Sequence, residues 1–277
     1  MELWFTERQT PNVGITCKTD KSLHYEQTDF QEMAIADTLQ FGRMLILDGT
    51  VQTTVGDEFV YHEMITHVGL FTHPKPKNVL IIGGGDGGTV REVLKHESVE
   101  SVELVEIDPR VVAVCRQYLP ELSCKLDDAR VTVVCTDGIE YVRKAKARYD
   151  VILVDSPDPV GPAVGLFAQE FYRNIHEALR EDGLFVAQTE SPWYNDDVIR
   201  RIWPYISGVF PICRMFLAAI PTYPSGLWSF TCGSKVHDPL ALDISGLPDM
   251  QTRYYTPELH RSAFSLPKFV RDLLVAN

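Results

Sequence analysis

The chain has no apolar run near the roughly 20 residues that cross a bilayer, no C-x-x-C cysteine pair, no internal repeat, no low-complexity tract and no excess of basic residues. Each absence excludes something. Without the long run no membrane-spanning helix is expected, and residues 1–12 lack the basic-then-apolar order of a secretory signal, so a cytoplasmic location is expected. The six cysteines (Cys17, Cys115, Cys124, Cys135, Cys213, Cys232) fall in apolar contexts, which reads as buried free thiols rather than disulfides or a zinc site, and no metal is expected. Lys and Arg number 26 against 38 Asp and Glu, a net charge of -12 that argues against nucleic acid and suits a polycationic partner. What remains, 277 residues that are 45% hydrophobic, can bury a full core as one large domain or as one large and one small.

The most informative segment runs from Val79 to Glu106. An apolar run, Val79-Leu80-Ile81-Ile82, breaks into Gly83-Gly84-Gly85-Asp86-Gly87-Gly88, and a second strand-like run ends at Glu106. Glycines at 83, 85 and 88 fit G-x-G-x-x-G between a strand and a helix, where missing side chains let the backbone approach a nucleoside and the helix pack on the sheet. Asp86 is the unusual member. A carboxylate there repels a pyrophosphate and attracts a cation, so a charged nucleoside is favoured over a dinucleotide.

Around that segment the period changes twice. Val13 to Thr16, Lys21 to Gln27, Gln31 to Ala36 and Met44 to Leu47 read as short antiparallel strands, with Asp48-Gly49 as a hairpin turn. From Asp57 the spacing of Phe59, His62, Glu63, Thr66, His67 and Leu70 is helical, punctuated by Pro74 and Pro76. Strand and helix then alternate. Val102 to Val105 leads to an Asp108-Pro109 helix start, with Val111, Val112, Cys115 and Leu119 as its apolar face; Val131 to Val134 leads to Asp137-Gly138. Val151 to Val154 leads to Asp155; Phe167, Phe171, Ile175 and Leu179 mark a further helix before Leu184 to Ala187. Such alternation implies right-handed crossovers and a parallel sheet, with its ligand crevice at the strands' carboxyl ends. Met215 to Ile220 and Trp228 to Cys232 flank a loop at 221–226 and read as a hairpin closing one sheet edge. The domains expected are 1–56, a small antiparallel β-unit, and 57–277, an α/β nucleoside-binding domain.

Asp86, Glu106, Asp137 and Asp155 each follow an apolar strand, so successive strand ends offer carboxylates to one crevice. Glu106, 18 residues past Gly88, suits the hydrogen bonds of a ribose diol. Asp108 reads as an N-cap, and Asp137 reads equally well as a cap or as a ligand contact. In Asp155-Ser156-Pro157-Asp158-Pro159 two prolines stiffen a loop holding two carboxylates, a geometry suited to binding an amine and accepting its proton.

GGGDGG at 83–88, VELVEID at 102–108, Asp137-Gly138, the DSPDP loop and IPTYPSG at 220–226 together resemble the polyamine aminopropyltransferases, and the resemblance runs from Trp4 to about Leu274. It implies an N-terminal β-domain, then a Rossmann-like, methyltransferase-type mostly parallel sheet with helices on both faces, assembled as a homodimer or homotetramer. It also implies transfer of the aminopropyl group of decarboxylated S-adenosylmethionine to putrescine, giving spermidine and 5'-methylthioadenosine. No cofactor is then needed, since the nucleoside is a co-substrate. By the same resemblance Glu106 holds the ribose, Asp137 and Gly138 the adenine, and Gln31 and Pro162 further parts of the nucleoside. Asp86 faces the terminal amine, Asp155 accepts the proton, and Asp158, Tyr61, His62 and Tyr223 complete the amine site.

Tyr61 and Tyr223 also fit a core-packing role, Glu190 fits either a distal ammonium contact or a solvated turn, and Trp4 and Trp193 fit either channel walls or packing. Other acceptors (cadaverine, agmatine, spermidine) and a small-molecule methyltransferase are the alternatives. Asp86 disfavours the latter, because the methionine carboxylate would meet it.

Overall fold

The computed structural model describes residues 2–159 and 161–275, the side chain of residue 162 excepted. Five antiparallel strands come first: β1 (Leu3–Thr10), β2 (Val13–Gln27), β3 (Glu32–Thr38), β4 (Gly42–Leu47) and β5 (Thr50–Thr54), paired in chain order. The meander follows from its turns. Asp48 and Gly49 both adopt positive φ, the mirror-image turn that matches strand twist.

Helix α1 (Glu58–Thr72) leads into β6 (Asn78–Gly83), α2 (Gly88–Val93), β7 (Ser101–Glu106), α3 (Pro109–Tyr118) and α4 (Pro120–Ser123). Next come β8 (Val131–Cys135), α5 (Gly138–Lys144), β9 (Tyr149–Asp155), a 3-10 turn at Gly161–Phe167, α6 (Gln169–Ala178) and β10 (Leu179–Gln188). The chain continues through α7 (Asp196–Ser207), β11 (Ile212–Ala219) and β12 (Leu227–Ser234), and ends with α8 (Pro257–Ser262) and α9 (Lys268–Leu273). The second sheet has seven strands in the order β11-β12-β10-β9-β6-β7-β8. Its five central and far strands run parallel, while β12 lies antiparallel to both β10 and β11. The expected closing hairpin is therefore β11–β12.

Strands β6 and β9 are neighbours although β7 and β8 continue from β6 on its other side. That is the point where strand order reverses, and a crevice opens there at the carboxyl ends. Register brings the site together, since Gly83 pairs with Asp155 and Glu106 with Cys135.

The sheet is buried on both faces, which explains its near-continuous apolar strands. One face packs Met64, Ile65 and Val68 of α1 with Val90 of α2; the other packs Val142, Phe171, Ile175 and Ile202 of α5, α6 and α7. A third cluster joins the two sheets, with Met33, Ile35 and Leu45 against Val111, Val114 and Cys115 of α3 and Leu119 just after it. Among the described residues no helix is long and apolar enough to cross a membrane.

Three expectations need correction. Only Cys17, Cys115 and Cys232 are buried; Cys124 and Cys135 are exposed and Cys213 is partly so, because α4 and the end of β8 lie at the surface. The helix expected over Phe167 to Leu179 is shorter: Phe167 closes the 3-10 turn and Leu179 opens β10. Strands β1 and β5 and helices α7, α8 and α9 lie where no element was expected.

Candidate active site

The crevice is a cavity of about 270 Å³ between the first sheet, α1 and the carboxyl ends of β6, β7 and β9. Its floor is the glycine loop, whose glycines are required by the Asp155 backbone at Gly83 and by carboxylate side chains at Gly84 and Gly85. A Cβ at Gly83 would lie 2.1 Å from the Asp155 carbonyl oxygen, one at Gly84 2.5 Å from Asp155 Oδ2, and one at Gly85 2.9 Å from Glu106. Gly83 and Gly84 also adopt φ of +79° and +70°, which side chains resist. The loop is bare so that the carboxylates can lie against it.

On one side, Glu106 ends β7 with both oxygens engaged: Oε1 accepts the Asp108 N–H at 3.0 Å and Oε2 the Gly85 N–H at 3.2 Å. Burial, with the charges of Asp108 and Asp155, outweighs those bonds and raises its carboxyl to about 7. Diol hydroxyls donating to it would favour the charged form. Asp137 is a cap, its Oδ1 accepting the Ile139 N–H of α5 at 2.8 Å, and it also lines the cavity beside Gly138. Gln31 lines the cavity too, while its amide donates to Asp108 Oδ2 at 3.1 Å. Asp108 is the cap expected for α3, through Oδ1 and the Arg110 N–H. Its second oxygen also receives Thr28 Oγ1 at 2.8 Å, tying the first sheet's loop to the second sheet.

On the other side the charges concentrate. Asp86 accepts the Gly88 N–H at 2.7 Å and faces His62 Nε2 at 3.4 Å, while His62 Nδ1 meets Glu58 Oε2 at 2.6 Å. Burial disfavours the His62 imidazolium, but Asp86 and Glu58 outweigh it and raise its pKa well above the usual range. Asp86 is correspondingly lowered against its own burial, by the His62 charge foremost. Asp155 ends β9 and accepts the Thr89 hydroxyl at 2.6 Å. Burial and the Asp86 charge raise its carboxyl, with His62 and Thr89 opposing. Two neighbouring carboxylates are thus held in different states, one ionised and one more basic.

Tyr61 and Tyr223 line this half, their ring centroids 6.0 Å apart. Burial, then the charge of Asp155, raises both phenols well above 10. Tyr223 is fixed by donating to the Gln52 carbonyl at 2.7 Å. Asp57, just before α1, accepts from Thr54 Oγ1 at 2.6 Å and from the Thr222 N–H at 2.8 Å, which sets the loop carrying Tyr223 against the first sheet.

Beyond Asp155 a smaller recess of about 20 Å³ continues past Asp158, Tyr223 and Gln188 to Glu7 of β1. Burial raises the Asp158 carboxyl, and burial with the charge of Asp158 raises Glu7 to about 7 despite the Val51 N–H. Glu190 behind it has no solvent exposure, so the solvated-turn reading fails. Its Oε1 accepts Gln188 Nε2 at 3.1 Å, Oε2 has no partner among the described residues, and burial with Asp158 raises its carboxyl well above the usual range.

Trp4 and Trp193 are 55% and 59% exposed and line neither recess; Trp193 packs on Phe269 instead. The Pro162 side chain, assigned to the nucleoside by resemblance, lies outside the described set. Sequence reasoning missed Glu58, Asp57 and Glu7. For Glu58 a signal existed, because it stands four residues before His62 on one helix face.

Away from the cavity, His73, Asp182 and His237 group their side-chain donors within 4.8 Å. His73 Nδ1 accepts the Lys75 N–H at 3.2 Å, which puts the proton of the neutral ring on Nε2, the atom facing the group. A protonated Nε2 has no lone pair for a metal; it approaches Asp182 Oδ2 at 3.5 Å without a hydrogen bond, and among the described residues it is His237 Nε2 that bonds Asp182.

Comparison with known proteins places the whole chain in one family. The model of the spermine/spermidine synthase domain matches residues 58–241, and that of the spermidine synthase tetramerisation domain matches 3–55. The chain is 58% identical to a polyamine aminopropyltransferase of Caldicellulosiruptor bescii over 274 residues, covering 99% of each. It is also 58% identical to one of Moorella thermoacetica, covering 99% of this chain and 97% of that one. Among solved structures, a spermidine synthase in complex with the transition-state analogue AdoDATO superposes with a TM-score of 0.95 at 46% identity, covering 98% of this chain and 94% of that one. The spermidine synthase of Thermotoga maritima superposes at 0.92 with 44% identity, over the same shares of the two chains.

Proposed function

The chain belongs to the spermine/spermidine synthase family of polyamine aminopropyltransferases, and from that membership we propose that its donor is decarboxylated S-adenosylmethionine, its acceptor putrescine and its proton acceptor Asp155. The observation that carries this reading is the pair Asp86 and Asp155 on one cavity, the first held ionised by His62 and the second raised. Glu106, Asp137, Gly138 and Gln31 serve the ribose and adenine. Asp86 faces the aminopropyl ammonium, and Asp155, Asp158, Tyr61, His62 and Tyr223 surround the acceptor. The Pro162 assignment rests on family resemblance alone.

The reaction is a direct displacement. The acceptor nitrogen forms a bond to the aminopropyl carbon as the carbon–sulfur bond breaks, and that electron pair stays on sulfur as a neutral thioether. The nitrogen's proton goes to Asp155. No covalent enzyme intermediate and no cofactor take part, so the residues position and desolvate more than they react. A diamine's pKa of about 10.4 in water lies far above a free carboxyl's. A raised Asp155 narrows that gap, and burial lowers the amine.

The raised carboxyls of Asp158 and Glu7 support an acceptor with a second ammonium directed into the small recess. We divide the chain at 56/57, between the end of β5 and the start of α1, and propose homotetrameric or homodimeric assembly through the first sheet. That sheet exposes Leu3, Trp4, Val13, Tyr25 and Leu39, and it is the part matched by the tetramerisation model.

The test is aminopropyl transfer from decarboxylated S-adenosylmethionine to putrescine, cadaverine, agmatine and spermidine in competition. Putrescine is expected to dominate, with spermidine and methylthioadenosine formed in equal amounts. One or two methylenes are worth only about 1 to 3 kcal/mol, so cadaverine should react detectably. A product derived mainly from another amine would overturn the acceptor assignment.

A further inference from the structure

We propose that Arg91, which lies outside the cavity, is a positioning residue for the transfer reaction: it fixes Glu58 against His62, and through His62 fixes the Asp86 carboxylate that meets the cationic substrate group. This rests on the reading of Asp86 given above, but the contacts that carry it stand without that reading.

The contacts run in line from α2 into the cavity. Arg91 Nε donates to Glu92 Oε1 at 2.8 Å, its Nη1 to the Glu121 carbonyl at 3.1 Å, and its Nη2 to Glu58 Oε2 at 2.8 Å. The planar fork is therefore held from three sides, which a lysine cannot reproduce. The same Glu58 Oε2 meets His62 Nδ1 at 2.6 Å, and His62 Nε2 faces Asp86 Oδ1 at 3.4 Å. Glu58 and His62 are 6% and 2% exposed, so solvent does little to screen these contacts.

Both ring nitrogens of His62 face carboxylate oxygens. A neutral imidazole has one N–H, so one carboxylate would meet a lone pair; only the imidazolium satisfies both. Charge then alternates along the line: Asp86 negative, His62 positive, Glu58 negative, Arg91 positive. Removing the last cation leaves one excess negative charge in a buried group; that charge alone would favour the imidazolium, so the ring loses its proton more easily only because Glu58, no longer held by Arg91, swings away from Nδ1.

The ring cannot shift to escape. A Cβ at Gly88 would lie 2.2 Å from His62 Cε1, so the start of α2 is seated on the imidazole and the glycine loop moves with it. The groups facing His62 are Glu58 and Tyr61 from α1, Asp86 from the loop, Arg91 from α2 through Glu58, and Asp155 from the end of β9. Since the folded-state pKa of His62 is raised above an unfolded value of about 6.5, its contribution is full below that pH and is lost as pH rises through the higher folded value.

The test uses Arg91→Met, which keeps the stem without the charge, and Arg91→Lys. Two measurements are made: the NMR titration of the His62 ring, identified by its loss in His62→Gln, and the pH profile of kcat/KM with decarboxylated S-adenosylmethionine and putrescine. In Arg91→Met the missing cation by itself would raise the ring midpoint, whereas release of Glu58 lowers it; a net fall of more than about one pH unit is expected, a tenfold change in the charged-to-neutral ratio. KM for the donor should rise about tenfold near pH 8 and recover as pH falls, and Arg91→Lys should restore part of both. An unchanged or raised ring midpoint, or a loss equal at every pH, would overturn the proposal. If Arg91→Met does not fold, Glu58→Gln is read the same way, and an unchanged ring there is equally fatal. The titration needs no turnover, so a wild-type protein that transfers nothing would sink the proposed reaction while the ring still decides the relay.

Discussion

Asp155 lies where two opposing demands meet. Burial and the Asp86 charge push its carboxyl up, while the His62 charge and the Thr89 hydroxyl pull it back, so it stays a base without becoming an inert acid. Asp155→Asn keeps the volume and removes the proposed proton acceptor. Turnover should fall by about two to four orders of magnitude, the usual range for a general base, while methylthioadenosine binding measured by calorimetry stays within about twofold. Near-normal turnover would remove Asp155 from its role. Residues of this kind were legible because a carboxylate that closes an apolar strand has few structural reasons to be there. Arg91 was not, because it reads as an ordinary helix-surface charge until packing turns α1 and α2 toward each other, and Glu58 offered only its four-residue spacing from His62. Glu190 stayed open between two readings for the converse reason: Thr-Glu-Ser-Pro looks like a turn, yet Ser229 and Gln188 enclose it.

At the scale of elements, the strand and helix order from β6 to β10 could be read because buried parallel strands are short apolar runs closed by Gly or Asp. Strand β1 escaped because its solvent-facing positions interrupt the apolar pattern, and α7 carries Pro204, which argues against a helix interior. The end of the chain was illegible because its anchor is remote. Glu63 of α1 accepts the Arg253, Tyr254 and Tyr255 N–H groups, each at 2.8 Å. In sequence Glu63 is only one more polar position on a helix. Glu63→Gln turns an amide donor toward one or more of those N–H groups and should cost about 2 to 3 kcal/mol by urea denaturation, with faster proteolysis after residue 250. An unchanged midpoint would mean that the segment is held by packing alone.

On the scale of the whole molecule, the two sheets act as one device. Thr28 and Gln31 reach Asp108 across the joint, Asp57 reaches Thr222, and Tyr223 reaches back to Gln52, so the cavity has walls from both sheets. The resemblance reported from five sequence motifs foresaw both sheets, but it could not show that the loop glycines make room for the site's own carboxylates. The net charge of -12 takes its meaning here. Acidic residues line the crevice rather than only coating the surface, a field that draws cations and turns away carboxylates.

The measurement that tests this most directly compares the binding of decarboxylated and ordinary S-adenosylmethionine to the wild-type protein and to Asp86→Asn. The decarboxylated donor should bind at least about tenfold more tightly to the wild type, equivalent to about 1.4 kcal/mol, and the ratio should collapse toward one in Asp86→Asn. Equal binding of the two donors by the wild-type protein would contradict the account.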